Sequence, residues 1–168
     1  MIIGIAGRKR SGKNTAADVF VARGFDLHSF AEPIRSFVSM LINEEITDKN
    51  KEAPLPGLGL SPRQLMQTAG TEWGRAQHPD IWLWSLKQRL PVMAVIHDVR
   101  FENEADFIRN AGGIVIHIVR DGLPSDGHAS EAGIERKAGD VVIYNNGSLA
   151  HFLLKVESAA DAILEAHA

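Results

Sequence analysis

The chain has 168 residues, 45% of them hydrophobic, which suits one domain with a proper core. Its net charge of −3 argues against a broad surface for a nucleic-acid polymer, and the lack of cysteine excludes disulfides and thiolate metal sites and fits a reducing cytoplasm. No apolar run reaches membrane-spanning length, and the chain opens on a strand pattern, so neither a membrane partner nor a secretory leader is expected.

Residues 1–6 are apolar nearly throughout, as a parallel strand buried on both faces should be. They lead into Gly7-Arg8-Lys9-Arg10-Ser11-Gly12-Lys13-Asn14-Thr15. Ala16, Ala17, Val19, Phe20 and Ala22 then recur at helical spacing, and Gly24 supplies a stop. Strand, glycine-rich turn and helix in that order are the setting of a phosphate-binding loop. Glycines let consecutive N–H groups point at one anion, and the helix start adds unpaired N–H groups and a positive dipole end. Gly7, Arg10, Ser11, Gly12, Lys13, Asn14 and Thr15 are therefore the expected nucleotide-binding residues, with Lys13 reaching the outer phosphates and a hydroxyl ligating Mg²⁺. The strict pattern has Ser or Thr directly after the Lys. Here Asn14 stands there and Thr15 follows, so Thr15 is the expected ligand and Asn14 the lesser candidate. Gly-Lys-x-Thr resembles the small-molecule kinases of this loop class. The bland alternative, a βα turn that binds nothing, is disfavoured by the flanking strand and helix.

Residues 25–30 alternate apolar and polar and predict a second strand. A helix follows, with Pro33 early and Ile34, Phe37, Val38 and Leu41 on one face. Residues 44–60 are charged, then rich in Pro and Gly; a solvated loop and a flap over an acceptor are equally compatible with them. Ser61-Pro62-Arg63-Gln64 is a helix start in which Ser61 caps and Gln64 completes a capping box. Leu65, Met66, Ala69 and Trp73 continue its apolar face, interrupted by Gly70, which leaves Arg63, Gln64, Gln67, Thr71 and Arg75 on other faces. After His78-Pro79-Asp80 another helix carries Leu83, Leu86 and Leu90, ended by Pro91.

Residues 92–98 predict a buried strand ending in Asp98. A short helix over 102–111, a strand over 113–119, a polar stretch over 122–140 with a short helix near 130–137, and a fifth strand over 140–144 follow. Asn145-Asn146-Gly147 turns the chain, and Ser148 caps a last helix burying Leu149, Phe152, Leu153, Val156, Ala160 and Ile163. Five strands alternating with helices give an α/β class: a three-layer P-loop NTPase fold with a five-stranded, mainly parallel sheet and right-handed crossovers. No repeat or linker divides it, so a single domain over 1–168 is expected.

Asp98 follows an apolar run, at the sheet edge where ligands of open α/β sheets gather. It can hold Mg²⁺ directly or through water, although a strand-end Asp can also merely cap a turn. Phosphoryl transfer brings anions together, so cations are needed. Arg35, Arg63, Arg75, Arg100 and Arg120 lie near segment ends or on helices after the second strand, and strand ends place Arg100 and Arg120 nearest the loop. Arg136 and Lys137 suit a lid or a plain surface equally. His28, His97, His117, His128 and His151 lack metal-ligand spacing; His97 and His117 read as packed residues, and His128 as a residue able to contact nucleotide. GTPase signatures and a Gly-x-Ser-x-Gly elbow are missing.

The loop at 7–15, Ser29-Phe30-Ala31-Glu32-Pro33-Ile34, the 63–75 stretch, Pro79-Asp80-Ile81-Trp82, His97-Asp98-Val99-Arg100-Phe101-Glu102-Asn103-Glu104 and Tyr144-Asn145-Asn146-Gly147-Ser148 together resemble the phage-type deoxynucleoside monophosphate kinases, of the P-loop nucleotide kinase superfamily. The resemblance implies ATP- and Mg²⁺-dependent phosphorylation of a deoxynucleoside monophosphate to its diphosphate. It implies an acceptor-phosphate arginine at Arg35, a second at Arg100, and a lid over about 121–139, with Arg120 just before it. Lys13, Asp98, Arg100 and Arg120 are then the expected catalytic residues, and Thr15 and Asp98 the metal ligands. Phe30, Arg35, Arg63, Gln67, Trp73 and Arg75 are the expected acceptor-binding residues, on a segment of about 30–90. A homodimer is allowed, and the cytoplasm (the host's, for a phage gene) is the expected setting. Another small-molecule P-loop kinase, acting for example on dephospho-coenzyme A, is the alternative. A nucleotide-binding ATPase or regulatory domain is disfavoured by the net charge and the missing switch motifs.

Overall fold

The computed structural model describes residues 1–124 and 133–167. Its elements are β1 (Ile2–Ala6), α1 (Lys13–Val21), β2 (Asp26–His28), α2 (Glu32–Ile42), α3 (Pro62–Gln67), a π-helical segment (Thr68–Gly74), α4 (Arg75–Gln77), α5 (Ile81–Lys87), β3 (Ala94–Val99), α6 (Glu102–Asn110), β4 (Ile114–Val119), β5 (Val141–Tyr144) and α7 (Leu149–Ala166). The chain divides into two compact units, one made of Met1–Ser29 with Leu90–Ala168, the other of Phe30–Arg89.

The first unit holds the sheet. Its strands run in the order β2-β3-β1-β4-β5, and every pairing is parallel. Ile3 and Ile5 of β1 point to one face, where α1 supplies Ala16, Ala17 and Phe20 and α7 supplies Phe152, Val156, Ala160 and Ile163. Those four α7 positions fall on one stripe of a 3.6-residue helix. Gly4, alternating to the other face, lets α6 pack close: a Cβ there would lie 2.4 Å from the Ile108 side chain. The result is three layers, α1 with α7, the sheet, and α6. Leu149, expected in the core, is 63% exposed at the first position of α7.

One irregularity matters for chemistry. β1 advances from Gly4 to Ala6 while β3 advances from Ile96 to Val99, so β3 carries an extra residue across His97-Asp98. Such bulges re-aim side chains near sites.

In the second unit, Ser61 Oγ accepts the Gln64 N–H and Gln64 Oε1 accepts the Ser61 N–H at 2.8 Å, the expected capping box. The helix then widens into the π segment. An added residue per turn shifts the phase of everything beyond it. Gly70 and Gly74 turn inward, Gly74 against Trp82, while Trp73 is 58% exposed rather than part of the predicted apolar face. Trp82 Nε1 donates to the Gly70 carbonyl at 2.7 Å. On α2 only Ile34 and Val38 are buried; Phe37 and Leu41, predicted on the same face, are exposed. Residues 43–60 form no helix or strand. Asn50 orders this stretch, accepting the Thr47 N–H at 2.7 Å and donating to Glu44 Oε1 and the Glu45 carbonyl.

Candidate active site

The loop between β1 and α1 curls through three residues of positive φ: Gly7 at 152°, Arg10 at 65° and Gly12 at 108°. A Cβ at Gly7 would lie 2.5 Å from the Ile118 carbonyl oxygen and 2.7 Å from Ser11 Oγ, and one at Gly12 2.7 Å from Asn145 Nδ2. Both positions therefore demand glycine on space as well as conformation. Lys13 is buried, and its ammonium donates to the carbonyls of Gly7 and Arg8 at 2.7 Å each, which holds the charge over the loop. Helix α1 opens with no side-chain cap. Ser11 is 1% exposed, and its hydroxyl has no hydrogen-bond partner among the described residues. A buried orphan hydroxyl, uncapped helix N–H groups and a fixed ammonium are a donor set suited to polyphosphate. Asn14 is exposed and Thr15 half-buried on the first turn of α1.

Asp98 lies near the C-terminal end of β3, the strand beside β1, and accepts a hydrogen bond from Ser29 Oγ at 2.8 Å. Ser29 thus orients a carboxylate that lies where the β1–β3 register shifts. His97 Nδ1 is 3.0 Å from the His28 carbonyl oxygen, a packing role as expected. Among the described residues no group of three or more His, Asp or Glu side chains could hold a metal by itself. A cation here would share its shell between Thr15, Asp98, water and a ligand's phosphates, the usual habit of Mg²⁺.

Beside the loop a cleft of about 370 Å³ is lined by Gly7, Arg8, Arg100, His117, Arg120 and Arg136, among others. Arg100 and Arg120, placed together by strand position, do meet there. Arg8, which was not among the expected site residues, and Arg136, weighed evenly between lid and plain surface, join them. For Arg8 the basic run within the loop was the available signal. Arg136 separates from its neighbour, since Lys137 spends its ammonium on Asp106 at 2.7 Å. The Arg120 end is fixed by Asp121, whose N–H donates to Asn146 Oδ1 at 3.0 Å while Asn146 Nδ2 donates to its carboxylate at 2.7 Å. Four arginines line one cleft beside the loop, and such a set can neutralise an anion dense in charge.

The remaining candidates lie in the Phe30–Arg89 unit. Phe30, expected among the acceptor-binding residues, is 3% exposed, so its ring is packed rather than open to solvent. Arg35 is exposed and donates to the Ile46 carbonyl at 2.9 Å; Arg63 faces Glu52; Arg75 donates to the Pro79 carbonyl at 2.8 Å. Gln67 and Arg75 flank the π segment that bears the exposed Trp73. His128, the expected short helix near 130–137 and the expected lid fall wholly or partly outside the described residues; residues 133–137 themselves are irregular.

A family model described as deoxynucleotide monophosphate kinase matches residues 58–156. A protein of Acanthamoeba polyphaga mimivirus, named as a deoxynucleotide monophosphate kinase, is 36% identical over 96% of both chains. The deoxynucleoside-5'-monophosphate kinase of Escherichia phage T5 is also 36% identical, over 73% of this chain and 55% of its own. Among solved structures, TT1252 of Thermus thermophilus (TM-score 0.54, 22% identity, covering 98% of this chain and 97% of its own) and a dephospho-CoA kinase of Campylobacter jejuni (TM-score 0.54, 15% identity, covering 99% and 98%) share the fold.

Proposed function

The chain belongs to the deoxynucleotide monophosphate kinase family, and we propose that it transfers the γ-phosphoryl group of ATP to a deoxynucleoside monophosphate, with Mg²⁺ as the cation. The observation that carries this reading is the four-arginine cleft next to a loop whose buried hydroxyl, uncapped helix and lysine suit a polyphosphate. ATP would supply the phosphoryl group, and Mg²⁺ would offset part of its charge.

The protein's part is positioning and electrostatics, without a covalent intermediate. Backbone N–H groups of the 7–15 loop bind the β- and γ-phosphates, and Lys13 leaves its loop carbonyls for their oxygens. Thr15 and Asp98 would hold the cation, with Ser29 orienting Asp98. Arg100 grips the acceptor phosphate, while Arg120, Arg8 and Arg136 neutralise charge that builds on the transferred group. The acceptor's nucleoside is assigned to Arg35, Arg63, Gln67, Trp73 and Arg75. No helix among the described residues is long and apolar enough to cross a membrane, which suits a substrate free in the cytoplasm.

Dephospho-coenzyme A kinase chemistry has only fold-level likeness behind it. A coupled assay of ATP with each deoxynucleoside and ribonucleoside monophosphate, and with dephospho-coenzyme A, decides the matter. Turnover of one or more deoxynucleotides is expected; turnover of dephospho-coenzyme A alone would overturn the reading.

A further inference from the structure

We infer that Arg109, through the buried carboxylate of Asp140, is a positioning residue that aims Arg136 into the cleft, an inference that rests on the kinase reading above. Arg109 lies on α6, and no atom of it lines the cleft. Its side chain is only 15% exposed; Nε and Nη2 tie the 133–140 arm to α6, and Nη1 bonds within α6. Nε and Nη2 grip Asp140 at 3.1 and 2.7 Å; Nη2 also donates to the Glu135 carbonyl at 2.9 Å; Nη1 meets Asp106 at 2.9 Å.

Asp140 is the hub. Its carboxylate is 2% exposed, and Oδ2 alone accepts from Arg109, from His117 Nε2 at 2.8 Å and from the Lys137 N–H at 2.9 Å. An ionised carboxylate only accepts, so His117 carries its proton on Nε2 in this contact. His117 itself lines the cleft from β4. On the outer side, the Glu102 carboxylate accepts the Glu135 N–H, and Lys137 pairs with Asp106. Arg136 is thereby flanked on both sides by residues clamped to one helix, and it is itself among the residues that line the cleft.

The same helix fixes Arg100. Glu104, 3% exposed, accepts the N–H groups of Arg100 and Phe101 at 2.8 and 3.1 Å. Thus α6 sets the spacing between two cleft arginines supplied by segments far apart in sequence. A misplacement of about 1 Å is enough to lower a rate a hundredfold when catalysis is positioning. A surface ion-pair cluster kept for stability alone would not need to converge on the arm that bears Arg136.

The test is a double-mutant cycle on the full chain, read as kcat and KM for ATP and for a deoxynucleoside monophosphate. Arg109→Ala should lower kcat about tenfold or more, with either KM changed less than about threefold. Arg136→Ala should lower kcat at least as much, and Arg109→Ala/Arg136→Ala should be no slower than Arg136→Ala. Arg109→Lys, which keeps the charge but loses the two-pronged grip, should recover only part of the rate. Should Arg109→Ala fail to fold, the exposed Glu102→Ala serves: a smaller kcat loss, abolished in the Arg136→Ala background, is expected. Independent, multiplying losses would overturn the inference, as would an unchanged kcat in a folded Arg109→Ala. A wild type that phosphorylates no deoxynucleotide would instead defeat the kinase reading beneath it.

Discussion

Asn145 Nδ2 donates to the Ser11 carbonyl at 2.8 Å, a buried clasp between the turn after β5 and the phosphate-binding loop. Asn145 is anchored in turn by its N–H to the Val119 carbonyl at 2.7 Å. The loop is thus held from the far end of the chain, just before the residue that opens α1. Asn145→Ala should loosen it. One buried hydrogen bond is worth about 1–1.5 kcal/mol, so the KM for ATP should rise roughly tenfold with acceptor KM little changed. Unaltered ATP kinetics would reduce the clasp to a structural contact.

Lys13→Met should lower kcat by about 10²–10³, the scale of losing one fixed donor to developing charge. The variant also strands the Gly7 and Arg8 carbonyls that Lys13 now satisfies, so a stability loss of about 1–3 kcal/mol should accompany it. Turnover measured well below the lowered unfolding temperature separates the two effects. Near-normal turnover there would rule out the loop as the ATP site.

The five strands and the phosphate-binding loop were legible in the sequence because each rests on a local signal. The strands are apolar runs or, for β2, an apolar–polar alternation; the loop is glycines at fixed offsets from a lysine, and the Ser61–Gln64 box is a four-residue pattern. The π segment was not, since an α-helical period extended past Gln67 puts Trp73 inside, whereas the inserted turn brings Gly70 and Gly74 inside instead. The Asp140 hub was equally hidden. Its partners Arg109 and His117 are 31 and 23 residues away, and a lone strand-interior histidine looks the same whether it packs against carbon or against a carboxylate. Arg100 and Arg120 could be found because strand ends converge at one edge of a parallel sheet. Arg136 could only be weighed evenly between lid and plain surface, because an irregular arm has no period to project from.

Asp98→Asn should strongly weaken the Mg²⁺-dependent rate, since a neutral amide is a poor ligand for a hard cation. Ser29→Ala should do the same in milder form, about three- to tenfold, by releasing the carboxylate it orients. Mg²⁺ titrations of the rate read both. If Asp98→Asn leaves the Mg²⁺ dependence and the rate untouched, Asp98 merely caps its strand.

Asp140 ties stability to pH. Burial pushes its carboxyl up, but hydrogen bonds from Arg109, the Lys137 N–H and His117 outweigh this and hold it at about 2, below the ordinary 3.8. A depressed carboxyl stabilises the fold fully above its unfolded value and loses that contribution as pH falls from about 3.8 toward 2. Asp106, lowered by Lys137 and Arg109, works in the same direction from the surface. Acid unfolding of Asp140→Asn followed by circular dichroism should show a lower stability at neutral pH and a flatter decline below pH about 4. A decline as steep as that of the wild type would show that other carboxylates carry the acid transition.

Arg100 is the position at which the acceptor can be tested apart from ATP. Its backbone is pinned by Glu104, and its side chain lines the cleft beside Gly7 and Arg8. An acceptor monophosphate is a dianion near neutral pH, and a guanidinium can grip it with two parallel hydrogen bonds where an ammonium offers a point charge. Arg100→Ala should therefore raise the deoxynucleotide KM or lower kcat by roughly ten- to a hundredfold, the equivalent of about 1.5–3 kcal/mol for a charged contact, with ATP affinity little changed. Arg100→Lys should restore only part of that loss. Glu104 fixes Arg100 and Phe101 through main-chain N–H groups, which both substitutions keep. Steady-state kinetics with each substrate varied in turn decide the point. Unchanged deoxynucleotide kinetics in Arg100→Ala would remove Arg100 from the acceptor site and leave the acceptor phosphate to Arg120 or Arg35.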